Sequence, residues 1–166
     1  MKKVILLVVA LVGFTLMSHA QVGADNAIGL RLGGSSAYGA EISYQRALNS
    51  DNNRLELDLG FRSSNKYDGF KLTGLYQWVW QIDGGFNWYA GVGGGLGSYS
   101  FDDDKFGDDD SETFIFAAGD IGIEYLFDIP LMLSLDFRPE FGFGDSRFDN
   151  DDLDFDIALG IRYMFN

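Results

Sequence analysis

The chain ends in the stretch LDFDIALGIRYMF, from Leu153 to Phe165, in which every odd-numbered residue is large and apolar. Three of the residues between them, Asp154, Asp156 and Arg162, are charged. Only a β-strand places residues i, i+2 and i+4 on one face, so the stretch predicts a strand with one apolar and one charged face. Soluble strands are usually about five or six residues long, whereas a tilted strand needs about ten to cross a membrane. The length of the stretch therefore favours a membrane strand.

The same alternation recurs along the chain and predicts eight strands. We place them at residues 26–34, 37–46, 54–63, 69–80, 85–97, 113–126, 131–144 and 152–165. An even number of such strands, apolar outside and polar inside, is typical of barrels that cross a membrane. The predicted fold is all-β: an eight-stranded antiparallel up-and-down transmembrane β-barrel. A soluble secreted β-sandwich is the alternative, but its core would have to hold the many charges of the polar face.

Charged residues dominate the face that is predicted to point inward, six basic and nine acidic: Arg31, Glu41, Arg54, Glu56, Asp58, Arg62, Lys71, Asp120, Glu124, Asp136, Arg138, Glu140, Asp154, Asp156 and Arg162. The interior of an eight-stranded barrel is just wide enough for side chains to fill it. We therefore expect a lumen that is plugged by its own salt bridges, with Arg138 beside Asp136 and Glu140, and Arg54 beside Glu56. A narrow channel for small solutes or ions stays open as the alternative.

The links between the predicted strands differ in length on the two sides. The second, fourth and sixth links, at 47–53, 81–84 and 127–130, are short, whereas 98–112 and 145–151 are acidic outer loops and 34–36 is a tight one. Short turns inside and long loops outside are usual for such barrels. Aromatic residues fall at the short-turn rim, where rings of this kind meet lipid headgroups: Tyr44, Trp78, Trp80, Phe86, Trp88, Tyr125, Tyr163 and Phe165.

The first 20 residues have the pattern of a secretory signal peptide. Lys2 and Lys3 precede an apolar run at 4–17, and Ala20 is the small residue that a signal peptidase requires before its cut. We predict a cleaved signal at 1–20 and a barrel domain at 21–166, with an uncleaved helix as the alternative. Two of the 12 basic residues and none of the 25 acidic ones lie in the signal, so the mature charge is −15. This balance argues against nucleic acid as a partner.

The residues for most hydrolytic mechanisms are missing from the predicted mature chain. Its sequence has no Cys, and the one histidine, His19, lies in the signal, which excludes Ser-His-Asp and Asp-His mechanisms. Carboxylates two apart, such as Glu56 and Asp58, recur wherever a barrel lumen is polar. We therefore predict that the protein is not an enzyme and holds no cofactor, although a lipid-modifying enzyme remains an alternative class.

A glycine-rich segment, 91–97, lies within the fifth predicted strand. It lacks the Lys-Ser/Thr pair and the following helix of a phosphate-binding loop. Glycines at the inward positions 91, 93, 95 and 97 would instead leave room for bulky neighbours in the lumen and allow tight curvature.

Carboxylates cluster in the acidic loop, where Asp102, Asp104, Asp108 and Asp110 are candidate ligands for weak Ca²⁺ or Mg²⁺ binding. The loop does not fit the EF-hand pattern, because Phe106 and Thr113 occupy ligand positions. A solvated loop without a metal is the simpler interpretation.

The whole predicted mature chain resembles the small eight-stranded outer-membrane barrel proteins, a group with OmpX-like, OmpA-like and PorT-like members. Its last strand is similar to the signal that the barrel-assembly machinery reads, with Tyr163 and the aromatic Phe165, although Asn166 follows. The resemblance implies a monomer in the outer membrane of a Gram-negative bacterium, in contact with lipid and lipopolysaccharide and inserted by that machinery. It implies a structural, surface-contact or envelope-integrity role.

Overall fold

Eight antiparallel strands close into a barrel in the computed structural model, which describes residues 24–33, 39–48, 52–64, 67–101, 111–143 and 153–166. The strands are β1 Asn26–Gly33, β2 Ala40–Leu48, β3 Asn53–Ser64, β4 Tyr67–Asp83, β5 Phe86–Phe101, β6 Ser111–Leu126, β7 Leu131–Phe143 and β8 Leu153–Phe165. Each strand pairs with its neighbours in the sequence, and β1 pairs with β8. The predicted fold class is confirmed. No helix in these residues is long and apolar enough to cross a membrane.

Alternation along each strand separates an outer apolar surface from a polar interior. Leu57 is 50 % exposed and Ile161 43 %, whereas Glu56 and Arg162, their neighbours in the chain, are each 1 % exposed. A soluble protein buries its apolar residues, so this arrangement is the reverse of the usual one. It suits a barrel whose outer surface meets lipid and whose strands pair around a closed ring.

Three strands extend further toward the outer side than the alternation predicts. β4, β5 and β6 have 17, 16 and 16 residues, and their ladders continue to the pairs Tyr67↔Phe101 and Ser100↔Ser111. Backbone pairing continues there although the apolar-polar alternation has ended. Strand limits predicted from the alternation alone are therefore too short at the outer side. β2 is described from Ala40, and the first outer link, predicted at 34–36, lies outside the described residues.

The short links lie together at the opposite end of the barrel. β4 turns into β5 through Gly84 and Gly85, and Gly84 has a φ of 52°, which favours glycine. The aromatic rim is found at this end: the rings of Trp80 and Trp88 stack with centroids 4.3 Å apart. The rings of Phe86 and Tyr125 lie 4.5 Å apart.

The ladder between β6 and β7 is interrupted in the middle of both strands. Two successive pairs are missing there, namely Gly119 with Pro139 and Asp120 with Arg138, although pairing is present on either side. Proline has no N–H to donate to a neighbouring strand, and it is rare inside sheets for that reason. Pro139 still pairs with Phe155 of β8, so the interruption faces β6 alone.

Candidate functional site: the charged lumen

The interior of the barrel holds most of the charges that the sequence places there. Five cations are buried: Arg31, Arg54, Lys71, Arg138 and Arg162. Eight carboxylates are buried with them: Glu41, Glu56, Asp58, Asp120, Glu124, Asp136, Glu140 and Asp156. Because opposite strands of a small barrel face each other across a narrow space, these side chains meet across the lumen.

Arg138 lies at the centre and is 0 % exposed. From β7 its Nη2 donates to Asp58 Oδ2 at 2.7 Å and Glu56 Oε1 at 3.1 Å, both on β3. Its Nη1 lies 3.6 Å from Glu41 Oε2 on β2.

The same-strand partners predicted for Arg138, Asp136 and Glu140, do not form ion pairs with it among the described residues; Asp136 pairs with Arg31 and Glu140 with Lys71. Residues two apart on a strand lie roughly 6–7 Å apart and point in parallel. A long guanidinium therefore reaches the far wall more readily than its neighbour.

Arg31 ties the first strand to three others. Its Nη1 donates to Glu41 Oε2 on β2 at 2.9 Å and to Asp156 Oδ2 on β8 at 2.5 Å. Its Nε and Nη2 both donate to Asp136 Oδ1 on β7. Arg31 thus bridges the seam between β1 and β8, where the two ends of the sheet meet.

Neutral polar residues complete the network, and the charge pattern of the sequence does not reveal them. Arg162 donates to Ser43 Oγ at 2.9 Å and Ser134 Oγ at 2.7 Å, and also to Glu56. Gln45 and Gln77 donate to Oε2 of Glu56, whereas Arg162 donates to Oε1. The signal that could have found these residues is parity, because each stands an even number of residues from a charged inward position on its own strand.

Two further ion pairs lie on either side of this centre. Arg54 Nη1 donates to Glu124 Oε2 at 2.6 Å across the lumen, and the predicted pairing of Arg54 with Glu56 is therefore wrong. The guanidinium of Arg54 lies 4.7 Å from the ring centroid of Tyr89. Lys71 Nζ donates to both oxygens of Glu140, at 2.6 and 2.7 Å, and lies 5.0 Å from the ring centroid of Phe116.

One predicted lumen residue lies elsewhere. Asp154 has inward parity but is exposed, and its Oδ1 accepts a hydrogen bond from the N–H of Phe155. It stands one residue from the outer end of β8, where the strand extends beyond the buried charges of the lumen. The prediction that Asp154 belongs to the buried network is therefore wrong. The side chain of Arg62 lies outside the described part of the chain.

The candidate metal ligands Asp102, Asp104, Asp108 and Asp110 also lie outside the described residues. Within those residues, no group of three or more His, Cys, Asp or Glu side chains is placed to hold a metal ion.

The opposite wall of the lumen is built from glycines and aromatic rings. The register pairs Gly95 with Phe116, Gly97 with Phe114 and Gly122 with Tyr89, across β5 and β6. A Cβ atom at Gly95 would lie 2.5 Å from Phe116 Cζ, and one at Gly122 would lie 2.5 Å from Tyr89 Cζ. Each ring thus occupies the space above a glycine. We call these six residues the glycine–aromatic wall.

The charged residues at the centre of the lumen also need one name. We call the following eight residues the ionic cluster: Arg31, Glu41, Glu56, Asp58, Asp136, Arg138, Asp156 and Arg162.

The last strand closes the barrel. The rings of Tyr163 and Phe165, which resemble an assembly signal, stack 6.4 Å apart on β8 opposite Ile28 and Asn26 of β1. Asn166, which departs from the usual aromatic ending, accepts a hydrogen bond at its Oδ1 from the N–H of Asp25 at 3.2 Å.

Three solved structures are similar to this barrel. The N-terminal β-barrel domain of Pseudomonas aeruginosa OprF has a TM-score of 0.63 and 16 % identity, with 86 % of this chain and 99 % of that chain covered. Neisserial surface protein A has a TM-score of 0.59 and 16 % identity, with 84 % and 94 % covered. Ail, the attachment invasion locus protein of Yersinia pestis, has a TM-score of 0.54 and 18 % identity, with 84 % and 96 % covered.

No family model matches the sequence, and a search of curated proteins finds no match. At these identities the similarity concerns the fold. The chain has the fold of the small eight-stranded outer-membrane barrels, closed by the pairing of β1 with β8.

Proposed function

We propose that the protein is a non-enzymatic integral barrel of the Gram-negative outer membrane, exported with a cleaved signal peptide, with a plugged lumen and a structural, surface-contact or envelope-integrity role. The observation that carries the proposal is the combination of an apolar outer surface with a lumen crossed by ion pairs from opposite strands. Arg138 and Lys71 each reach from one side of the barrel to the other. A hydrated ion would have to displace these charge-assisted bonds to pass.

The surroundings of the barrel follow from the same features. Its exposed leucines, isoleucines and phenylalanines would contact lipid, and its outer side would contact lipopolysaccharide. The closing strand with Tyr163 and Phe165 would be read by the barrel-assembly machinery. A surface-contact role draws some support from Ail, which is named as an attachment invasion locus protein. No nucleic acid is expected as a partner, and the barrel is expected to be a monomer.

Conductance in planar lipid bilayers tests the plugged lumen. The wild-type protein should give no steady current, because the ionic cluster fills the cross-section. A variant with both Arg138→Ala and Arg162→Ala removes two of the crossing side chains and should leak, which shows that the assay detects an opened lumen. A steady wild-type current comparable to that of the variant would contradict the proposal.

A second candidate is a narrow channel for small cations. The described lumen holds eight buried carboxylates and five buried cations, an excess of three negative charges that would favour cations over anions. The same recording decides between the two functions: a steady wild-type current that is carried by Na⁺ or K⁺ rather than Cl⁻ would support the channel.

A further inference from the structure

The outer surface of the barrel at the short-turn end has two unlike sectors. On β1, β2 and β3 the outward side chains near that end include three polar ones, which we call the polar sector: Asn26, Arg46 and Asn53. On β4, β5 and β6 the outward side chains near the same end are large and apolar or aromatic, and we call them the aromatic sector: Trp80, Ile82, Phe86, Trp88 and Tyr125. The aromatic rim is therefore not uniform around the barrel.

Apolar surface in the aromatic sector continues to the turns themselves. The ring of Tyr125 lies edge-on to that of Phe127, which follows β6, with centroids 4.7 Å apart. Ile82, beside the turn between β4 and β5, is 60 % exposed, and Ile129, between β6 and β7, is 58 % exposed. Apolar area left in water is costly, so these residues indicate that lipid reaches the turns on this side.

The polar sector has the opposite requirement. Arg46 is exposed, and the hydroxyl of Tyr44, two residues further into the barrel, donates to Asn26 Oδ1 at 2.7 Å. A guanidinium is costly in hydrocarbon but not at the level of the headgroups, where tyrosine rings also lie with their polar tips toward water. On this side, the boundary between hydrocarbon and headgroups therefore lies near Tyr44.

Position within the strands does not account for the difference. Arg46 lies two residues before the end of β2, and Trp88 lies two residues after the start of β5. Asn53 is the first residue of β3, and Tyr125 is one residue before the end of β6. An upright barrel would hold the two members of each pair at similar depths, although one member is polar and the other aromatic.

We propose that the barrel lies inclined in the membrane, with the turns of the aromatic sector within the headgroup layer of the inner leaflet and the polar sector displaced toward the water. Lipid phosphates then fit Arg46, and the rings of Trp80 and Trp88 lie in the lipid. The same inclination lifts the outer ends of β5 and β6 away from the membrane, where their outward pair, Ser98 and Thr113, is polar. This inference rests on the membrane location proposed above and adds an orientation to it.

Spin labels on single cysteines test the inclination, because the chain has no cysteine of its own. In vesicles of phosphatidylethanolamine and phosphatidylglycerol, accessibility to oxygen and to a water-soluble nickel complex reports the depth of each label. The label of Trp88→Cys should lie deeper than that of Arg46→Cys, and the label of Tyr125→Cys deeper than that of Asn53→Cys. We expect differences of about 5 Å, the rise of two residues along a strand tilted by about 45°.

Leu57→Cys is the reference for a position in hydrocarbon, since Leu57 points outward in the middle of β3. Equal depths within both pairs, with the Leu57→Cys label in hydrocarbon, would overturn the inclination and leave the membrane location intact. A Leu57→Cys label in water would instead overturn both. The pair Asn53→Cys and Tyr125→Cys keeps the test decisive if Trp88→Cys disturbs the stack with Trp80.

Discussion

The two walls of the lumen are built by opposite means. The ionic cluster uses long charged side chains that reach across from β1, β2, β3, β7 and β8 and bind to one another in pairs and forks. In the glycine–aromatic wall, glycines on β5 and β6 have no side chain, and an aromatic ring from the paired strand lies over each of them. Directional bonds hold the first wall, whereas close packing holds the second. The two should therefore fail differently when a single residue is changed.

The largest effect should come from the ionic cluster. Arg138→Ala removes the cation of Asp58 and one of the two cations of Glu56, which keeps Arg162. Breaking a buried pair typically costs about 3–5 kcal/mol. Unfolding by urea or heat in detergent measures the loss. Adding Asp58→Asn to the variant should restore part of the stability, because one of the orphaned charges disappears.

Arg46→Ala is the matched control for that variant. Arg46 is exposed at the short-turn rim of β2, and its removal should change the stability little. If Arg138→Ala proved as mild as Arg46→Ala, the carboxylates would have to be solvated, and the cluster would not be a dry plug.

A charge on the outer surface should have the next largest effect. Leu57→Arg sets a cation toward lipid on the strand that carries Glu56 and Asp58 inward, at a cost of about 2–4 kcal/mol near the bilayer midplane. Unfolding measured in lipid vesicles reports the change. Asp58→Asn, one position away, should be milder because it faces the lumen. Equal effects of the two changes would mean that the two faces of β3 are not distinct.

The glycine–aromatic wall should respond to added volume. Gly122→Ala brings a methyl group against the ring of Tyr89, and overpacking of this kind costs about 1–3 kcal/mol. Gly74→Ala is the control, since a Cβ atom there would lie 3.5 Å from its nearest neighbour, Leu57 Cδ2, an ordinary contact. A thermal unfolding series of both variants should separate them, and equal midpoints would contradict the close packing of this wall.

The smallest effect is expected where the two walls meet. Lys71 binds Glu140 on β7 and lies beside the ring of Phe116. Replacing both partners, as Lys71→Met with Glu140→Gln, should change the stability by less than about 1.5 kcal/mol, because apolar isosteres often substitute for a buried pair. Lys71→Met alone should be clearly worse, since Glu140 is then left without its cation; a single variant as stable as the double would show that this pair is not buried in practice.

Alternation in the sequence determines which face of a strand each residue occupies, and this is why the fold and the inward charges could be predicted. Leu57 outward and Glu56 inward follow from parity alone, as does the position of the inward glycines of β5. Inward glycines at 95 and 97 were expected to leave space for bulky neighbours, and the rings of Phe116 and Phe114 on β6 occupy that space.

The ion pairs could not be predicted in the same way, because parity says nothing of height along the barrel axis. The stagger between strands decides that Arg138 meets Asp58 and that Arg54 meets Glu124. Asp154 shows the same limit: its parity is inward, but its height along the barrel axis places it beyond the buried charges. The register of every ladder would have been needed to obtain these contacts.

The hydrogen bond between Asp25 and Asn166 brings positions 141 residues apart in the sequence into contact at the end of the barrel that carries the short turns. In a closed barrel every strand has two paired neighbours, so the position of the chain termini depends on how the strands are connected and not on the shape of the barrel. A short linker between these two positions would convert the chain into a continuous loop. New ends could then be opened in an outer link without removing any strand, which makes this barrel a suitable scaffold for circular permutation.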